Sequence, residues 1–286
     1  MQFRGFCSKL MAGFQPVRLL HSSVGKMDKK IHIEHTMDNF RSNDILLARV
    51  SKIKDISPTV RTLTLTVDKE KNTSSFRAGQ WVDFFIPGVE QVGGFSMWNS
   101  PTSFSRTGEL ELAVKSSTWP PAAWVHNQAS QGDKVSVRFG GDFYYPTPDI
   151  SGPHSLLLIA GGVGINPLLS IWFQARDLCA ENASIKPIKT RLLYSAVSDK
   201  ELLFQPEINS VSREFSNFYT DNFVTRPGPG YTGRINQDIL AERISEDAGS
   251  RIIAYLCGPP GQVQDMKMYL RNLNIPEHDI RSELWY

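Results

Sequence analysis

Two hydrophobic rhythms divide the chain. In the first, apolar and polar residues alternate over short runs: Thr62, Thr64 and Thr66 interleave with Leu63, Leu65 and Val67, the period of two that sends successive side chains to opposite faces of a strand. Six such segments occur, Ile45–Ile53, Thr59–Val67, Trp81–Ile86, Gly94–Trp98, Glu109–Lys115 and Lys134–Phe139. Turn residues separate them, which predicts a small antiparallel barrel or sandwich. A helical turn or two is expected at Ala122–Ala129. The second rhythm starts near Ser155. Short, mostly apolar runs now precede segments of helical length: Leu156–Ala160 before Asn166–Ala180, Arg191–Ala196 before Gln205–Phe215, Phe218–Val224 before Asn236–Ile244, and Arg251–Cys257 before Gln262–Leu273. Ile280–Trp285 closes the chain. Short apolar strands separated by helices predict a parallel sheet with right-handed crossovers.

The first strand of the second half runs straight into Gly161-Gly162-Val163-Gly164-Ile165-Asn166-Pro167. A buried strand that breaks into glycines and opens a helix is where a dinucleotide pyrophosphate sits, because backbone N–H groups reach phosphate only where no side chain intervenes. Asn166 is expected to cap the helix, and Pro167 fits its first turn, where a missing N–H costs nothing. The fold class expected is β followed by α/β: an antiparallel six-stranded β-barrel over residues 45–150, then a five-stranded parallel α/β nucleotide-binding domain over residues 151–286. The boundary is placed at Asp149–His154, where Pro, Asp, Ser and Gly cluster.

Composition changes this picture at the N-terminus. Residues 1–27 carry Arg4, Lys9, Arg18 and Lys26 and no Asp or Glu, interleaved with apolar residues and followed by His21-Ser22-Ser23. Basic, hydroxylated and acid-free is the composition of a mitochondrial presequence, so a leader cleaved between Leu20 and Lys30, and a matrix location, are expected. Residues 28–44 read as a polar connector. The overall balance of 31 basic and 29 acidic residues makes no case for nucleic acid as a partner. The three cysteines, Cys7, Cys179 and Cys257, lie in no metal-ligand spacing, so no metal site is expected. Residues 155–175 carry no charge, yet the glycines and Asn166-Pro167 in their middle argue for strand, loop and helix rather than a membrane span.

Three further segments join the glycine loop: Gly132-Asp133-Lys134-Val135-Ser136-Val137, Cys257-Gly258-Pro259-Pro260 after a strand, and Glu283-Leu284-Trp285-Tyr286 at the end. With a barrel ahead of a parallel nucleotide domain, they make the chain from Ile45 onward resemble the ferredoxin–NADP reductase superfamily, which includes cytochrome b5 reductase. The resemblance implies a flavoprotein oxidoreductase in which a hydride passes from NADH to flavin and electrons leave to an acceptor, such as a redox protein, that the sequence does not name. It implies that Cys257, with Gly258 and Pro259, positions the nicotinamide, that Glu283 supports charge or protons, and that Trp285 covers the flavin ring. The family's Arg-x-Tyr-Ser flavin motif corresponds to Gly93-Gly94-Phe95-Ser96-Met97: Phe95 and Ser96 match, Met97 follows, and glycine stands where the phosphate-binding arginine is expected. The second flavin-phosphate loop corresponds to Ser117-Thr118-Trp119-Pro120-Pro121-Ala122-Ala123, stiff and short of N–H donors, with the helix N-terminal amides near Ala122–Ala123 as the remaining donors for phosphate. FAD is expected ahead of FMN, and the alternative is an NAD(H)-binding or assembly protein that has lost flavin. Ser198-Asp199-Lys200-Glu201, one lysine between acids, favours NAD over NADP; Lys200 and Arg191 are the residues that would serve NADP.

Overall fold

The computed structural model describes residues 32–68, 74–246 and 249–284. The leader expected over residues 1–27 and the aromatic Trp285 lie outside them. The alternating segments become β1 (Leu46–Asp55), β2 (Val60–Val67), β3 (Trp81–Phe85), β4 (Gly93–Ser96), β5 (Glu109–Lys115) and β6 (Lys134–Gly140). They pair antiparallel in the order β4-β3-β6-β1-β2-β5. The two outer strands meet through a single bridge, Met97 to Leu112, which brings the sheet round on itself. Inward-facing Leu63, Leu65, Val82, Phe84, Leu110, Leu112, Val137 and Phe139 fill the interior. Two short helices lie on this sheet: α2 (Pro101–Thr107) and α3 (Pro120–Asn127).

The second half forms a five-stranded, wholly parallel sheet from β7 (His154–Gly161), β8 (Lys189–Ala196), β9 (Phe218–Val224), β10 (Arg251–Gly258) and β11 (Ile280–Leu284), ordered β11-β10-β7-β8-β9. Every residue of β7 is buried, as expected for a central strand covered on both faces. The helices between strands are α4 (Ile165–Ala180), α5 (Gln205–Glu214), α6 (Gln237–Ser245) and α7 (Pro260–Asn272). None of the described helices is long and apolar enough to cross a membrane. Strand order reverses between β7 and β10, and in open parallel sheets ligands bind beyond the carboxyl ends at that point. The Gly161–Gly164 loop and the Cys257-Gly258-Pro259 turn leave the sheet there.

The two sheets are tied together through α4. The Asn166 side chain does not cap this helix, whose N-cap is Gly164. Its amide instead donates to the Ala113 carbonyl of β5 at 2.7 Å, a buried bond between the halves. The Ser170 hydroxyl donates to the Asn99 carbonyl, and the Ser100 hydroxyl to Asp177. Trp98 completes the seam, tilted against Phe204 with ring centroids 4.6 Å apart.

Candidate active site

The three glycines of the loop do different work. A Cβ on Gly164 would stand 2.3 Å from the Cys257 carbonyl oxygen, so this glycine lets the start of α4 pack on the backbone at the end of β10, and one on Gly161 would stand 2.7 Å from the Pro259 ring and collide with the Gln262 side chain. Gly162 has φ +53° and nothing within 4 Å of a hypothetical Cβ. It is the glycine that leaves an open face on which phosphate can approach the chain. Val163 is half-buried beside it, while Ile165 and Pro167 are buried inside the first turn of α4.

Gln262 of α7, which sequence reasoning passed over, spans the strand ends: its carbonyl accepts from the Ser195 hydroxyl at 3.2 Å and its amide donates to the Ala160 carbonyl at 3.2 Å. The signal available was its place just past the Cys257-Gly258-Pro259 turn.

Cys257 is 1% exposed and lies directly across from Glu283 in the parallel register of β10 and β11. Glu283 is half-buried as a residue, but its Oε2 is shielded from solvent and has no hydrogen-bond partner. Burial pushes its carboxyl up to about 8; a hydrogen bond from the Trp81 indole works against this, and the nearby Asp142 charge adds to it. A neutral, proton-bearing Glu283 is therefore the resting form at neutral pH. Trp81 in turn pairs across the barrel sheet with Ser96. Ser96 is 3% exposed, and its hydroxyl also has no partner. Cys257, Glu283, Trp81 and Ser96 thus form one row across the seam, with unmatched polar atoms on both sides of it. Each such atom calls for an explanation, and a polar ligand between the two is one that serves both. At this end the residues fit the ring of a flavin beside a nicotinamide.

At the other end of β4 they do not fit a phosphate tail. A Cβ on Gly93 would lie 2.7 Å from Phe95 and 2.9 Å from the Pro121 side chain, so β4 and the start of α3 already touch. Phe95 leans onto this contact and meets Phe84 edge-on, at 5.6 Å. Met97, expected at the cofactor, is fully buried in the barrel core because it is the residue that closes the sheet.

Gly94 is covered by an N-terminal arm. The ring of His32, in the one-turn helix α1 (His32–His35), sits where a Gly94 side chain would be, 2.2 Å from its hypothetical Cβ. The same ring reaches Asp83 at 2.9 Å, as do Arg41 at 2.9 Å and Arg138 at 2.6 Å. Burial pushes the Asp83 carboxyl up, but these three hydrogen bonds outweigh it and hold the group below the usual carboxylate range. Arg191 lies near the amino end of β8, buried and bonded to Asp221 and Glu246, which removes it as a phosphate ligand. Lys200 stays exposed just past the carboxyl end of β8.

A six-stranded antiparallel barrel joined to a parallel sheet that presents a glycine loop at its switch point is the fold of the ferredoxin–NADP reductase superfamily. The sequence model of the oxidoreductase NAD-binding domain matches residues 158–268. The oxidoreductase NAD-binding domain-containing protein 1 of Danio rerio is 40% identical over 264 residues, which cover 89% of this chain and 97% of that protein. The chain belongs to the oxidoreductase NAD-binding domain-containing protein 1 family. Among solved structures, a cytochrome P450 reductase of Amycolatopsis overlays with a TM-score of 0.69 at 24% identity, covering 84% of this chain and 69% of that one. The flavohemoglobin of Malassezia yamatoensis, solved with bound FAD and heme, overlays with a TM-score of 0.71 at 19% identity, covering 88% and 63%.

Proposed function

We propose that the protein is an NADH-dependent reductase that delivers a hydride to a flavin held at the seam between barrel and sheet. Bound together, nicotinamide and isoalloxazine supply the hydride chemistry; the chain supplies position and protons. Gly162 opens the loop to the pyrophosphate. Cys257 and Gly258 end β10 at the switch point and set where the nicotinamide lies. The Ser96 hydroxyl is ready to hydrogen-bond the flavin ring edge, and Glu283 carries a proton within the same row. The observation that carries the reading is the pair of unmatched atoms, Ser96 Oγ and Glu283 Oε2, on opposite sides of one seam. The single lysine among acids at Asp199-Lys200-Glu201 favours NAD over NADP. The acceptor is a one- or two-electron partner in trans, in keeping with the reductase likeness, and the acid-free composition of residues 1–27 supports a mitochondrial matrix location.

The test is the visible spectrum of the protein mixed with flavin before and after anaerobic NADH. Bleaching supports the reductase, and its loss in Ser96→Ala supports the ring contact. Unchanged bleaching rates in both Ser96→Ala and Cys257→Ala would refute these roles. A second reading, an NAD(H)-binding protein without flavin chemistry, is favoured by the contact of Gly93 with Pro121. It requires NADH to bind while no flavin does.

A further inference from the structure

The carboxyl ends of β7, β8 and β10 converge at the base of the glycine loop, and one side chain from outside the sheet lies among them. Gln262 is the third residue of α7, directly past the turn that leaves β10. A side-chain amide carries both donors and an acceptor, and the fold uses both kinds. Its Nε2 donates to the Ala160 carbonyl of β7 at 3.2 Å, and its Oε1 accepts from the Ser195 hydroxyl of β8 at 3.2 Å. The same Oε1 stands 2.2 Å from where a Cβ on Gly161 would begin and 3.5 Å from where one on Gly258 would. These two glycines are the last residues of β7 and β10. The absence of a side chain at Gly161 is what admits the Gln262 amide.

The next residue is Gly162, at φ +53° with open space above it. A single peptide thus separates the anchored end of β7 from the face that a pyrophosphate would approach.

The sheet itself does not depend on this tie. The Ser195 hydroxyl has a second acceptor in reach, the Ala160 carbonyl at 3.1 Å, and β7 pairs with β8 and β10 row by row up to Gly161 and Ala160. Removing the Gln262 amide leaves all of that in place and frees the loop from α7 alone. An apolar side chain of similar length would fill the space but neither donate nor accept.

We propose that Gln262 is a positioning residue of the NADH site: by holding Ala160 and Ser195 it fixes the exit of β7 into the Gly161–Gly164 loop, and with it the backbone path that the pyrophosphate follows. The proposal rests on the reading that NADH binds this loop. Gln262 acts through the backbone. A loop already held does not have to be ordered when the ligand arrives, and the ordering saved appears as affinity.

The test is a calorimetric titration of the full chain with NADH, in the wild type and in Gln262→Met, Gln262→Glu and Gln264→Ala, with the Tm of each. Gln262→Met is expected to weaken NADH about tenfold while Tm falls by only a few degrees. Gln264→Ala, at an exposed position of the same helix, should leave the affinity unchanged. Gln262→Glu separates positioning from packing, and carries the decision if Gln262→Met loses its fold. Protonated, its carboxyl keeps one donor and one acceptor and can replace the amide; ionised, it only accepts, releasing Ala160 and setting a negative charge near the diphosphate. Its affinity for oxidised NAD, which withstands acid, should fall relative to that of the wild type by about tenfold as pH rises from about 5 to about 8. NADH bound by Gln262→Met within about twofold of the wild type, or a Gln262→Glu affinity that keeps step with the wild type over this pH range, would overturn the proposal. A wild-type chain that binds no NADH would overturn the reading of the loop, and the proposal with it.

Discussion

Gly162 and the Gly93-Gly94 pair look alike in sequence and do opposite things in the fold. At Gly162 the absent side chain leaves open space above a left-handed turn. At Gly93 and Gly94 the absent side chains are replaced by other parts of the chain: Phe95 and Pro121 on one, His32 on the other. A glycine therefore marks a close approach, and only the surroundings tell whether a ligand or the protein makes it. At one end of the site the chain stands aside for a dinucleotide, and at the other it has filled the place where the superfamily's arginine is expected.

Four measurements would break or sharpen that contrast. The largest effect is expected from Gly164→Ala, because the new Cβ would meet the rigid Cys257 carbonyl at 2.3 Å and push β10 from α4. A loss of about 3 kcal/mol, seen as a fall of roughly 6–12 °C in Tm, is the expected outcome. Gly94→Ala collides instead with a ring on a short arm that can swing away, so about 1–2 kcal/mol is expected. In a His32→Ala background the same substitution should cost nearly nothing; an undiminished cost would show that the ring is not what fills the space. Gly162→Ala meets no atom but forces a side chain to φ +53°, costing about 1 kcal/mol. Its main effect should be on NADH, weakening binding about tenfold where Cβ enters the phosphate path. An unchanged NADH affinity would move the pyrophosphate off this loop.

The last effect is one of pH. The folded state holds the Glu283 proton more tightly than the unfolded chain does, with the carboxyl raised from 4.5 to about 8. Its contribution to stability is thus fully present below pH 4.5 and is lost as pH rises through about 8. Glu283→Gln should flatten the decline of Tm with pH across that window; an equally steep decline in the variant would place the titrating group elsewhere. Asp83, held low, acts oppositely: its clasp is present above the ordinary carboxylate range and lost only in acid.

Much of the architecture was readable in the chain because it is encoded locally. Period-two alternation located all six barrel strands, and apolar runs before helical segments located the parallel sheet, each to within a few residues. Helix α2 was missed, although Ser100 at its N-cap, Pro101 in its first turn and Gly108 after it are local signals, because seven residues are too few to show a period. The candidate site was legible where it rests on backbone signals, the glycine loop and the Cys257 turn that leave the sheet at its switch point. It was not legible where it depends on partners distant in sequence. Nothing local announces that Asn166 would reach Ala113 rather than cap its own helix, that Met97 would close the barrel, or that Arg191 would be consumed by Asp221 and Glu246. Nor does Gly94 announce His32.

The seat of His32 on Gly94 also sets a lower limit on the length of the chain. Trimming by a protease that stops before residue 32 leaves the ring, its grip on Asp83 and the covered face of β4 intact. A cut a few residues further on would strip three things at once: one of the partners that offset the burial of Asp83, the edge-on packing against Trp81, and the cover of a short strand at the margin of its sheet. A chain that begins just ahead of His32 should therefore keep the Tm of the full chain, and one that begins after it should melt lower.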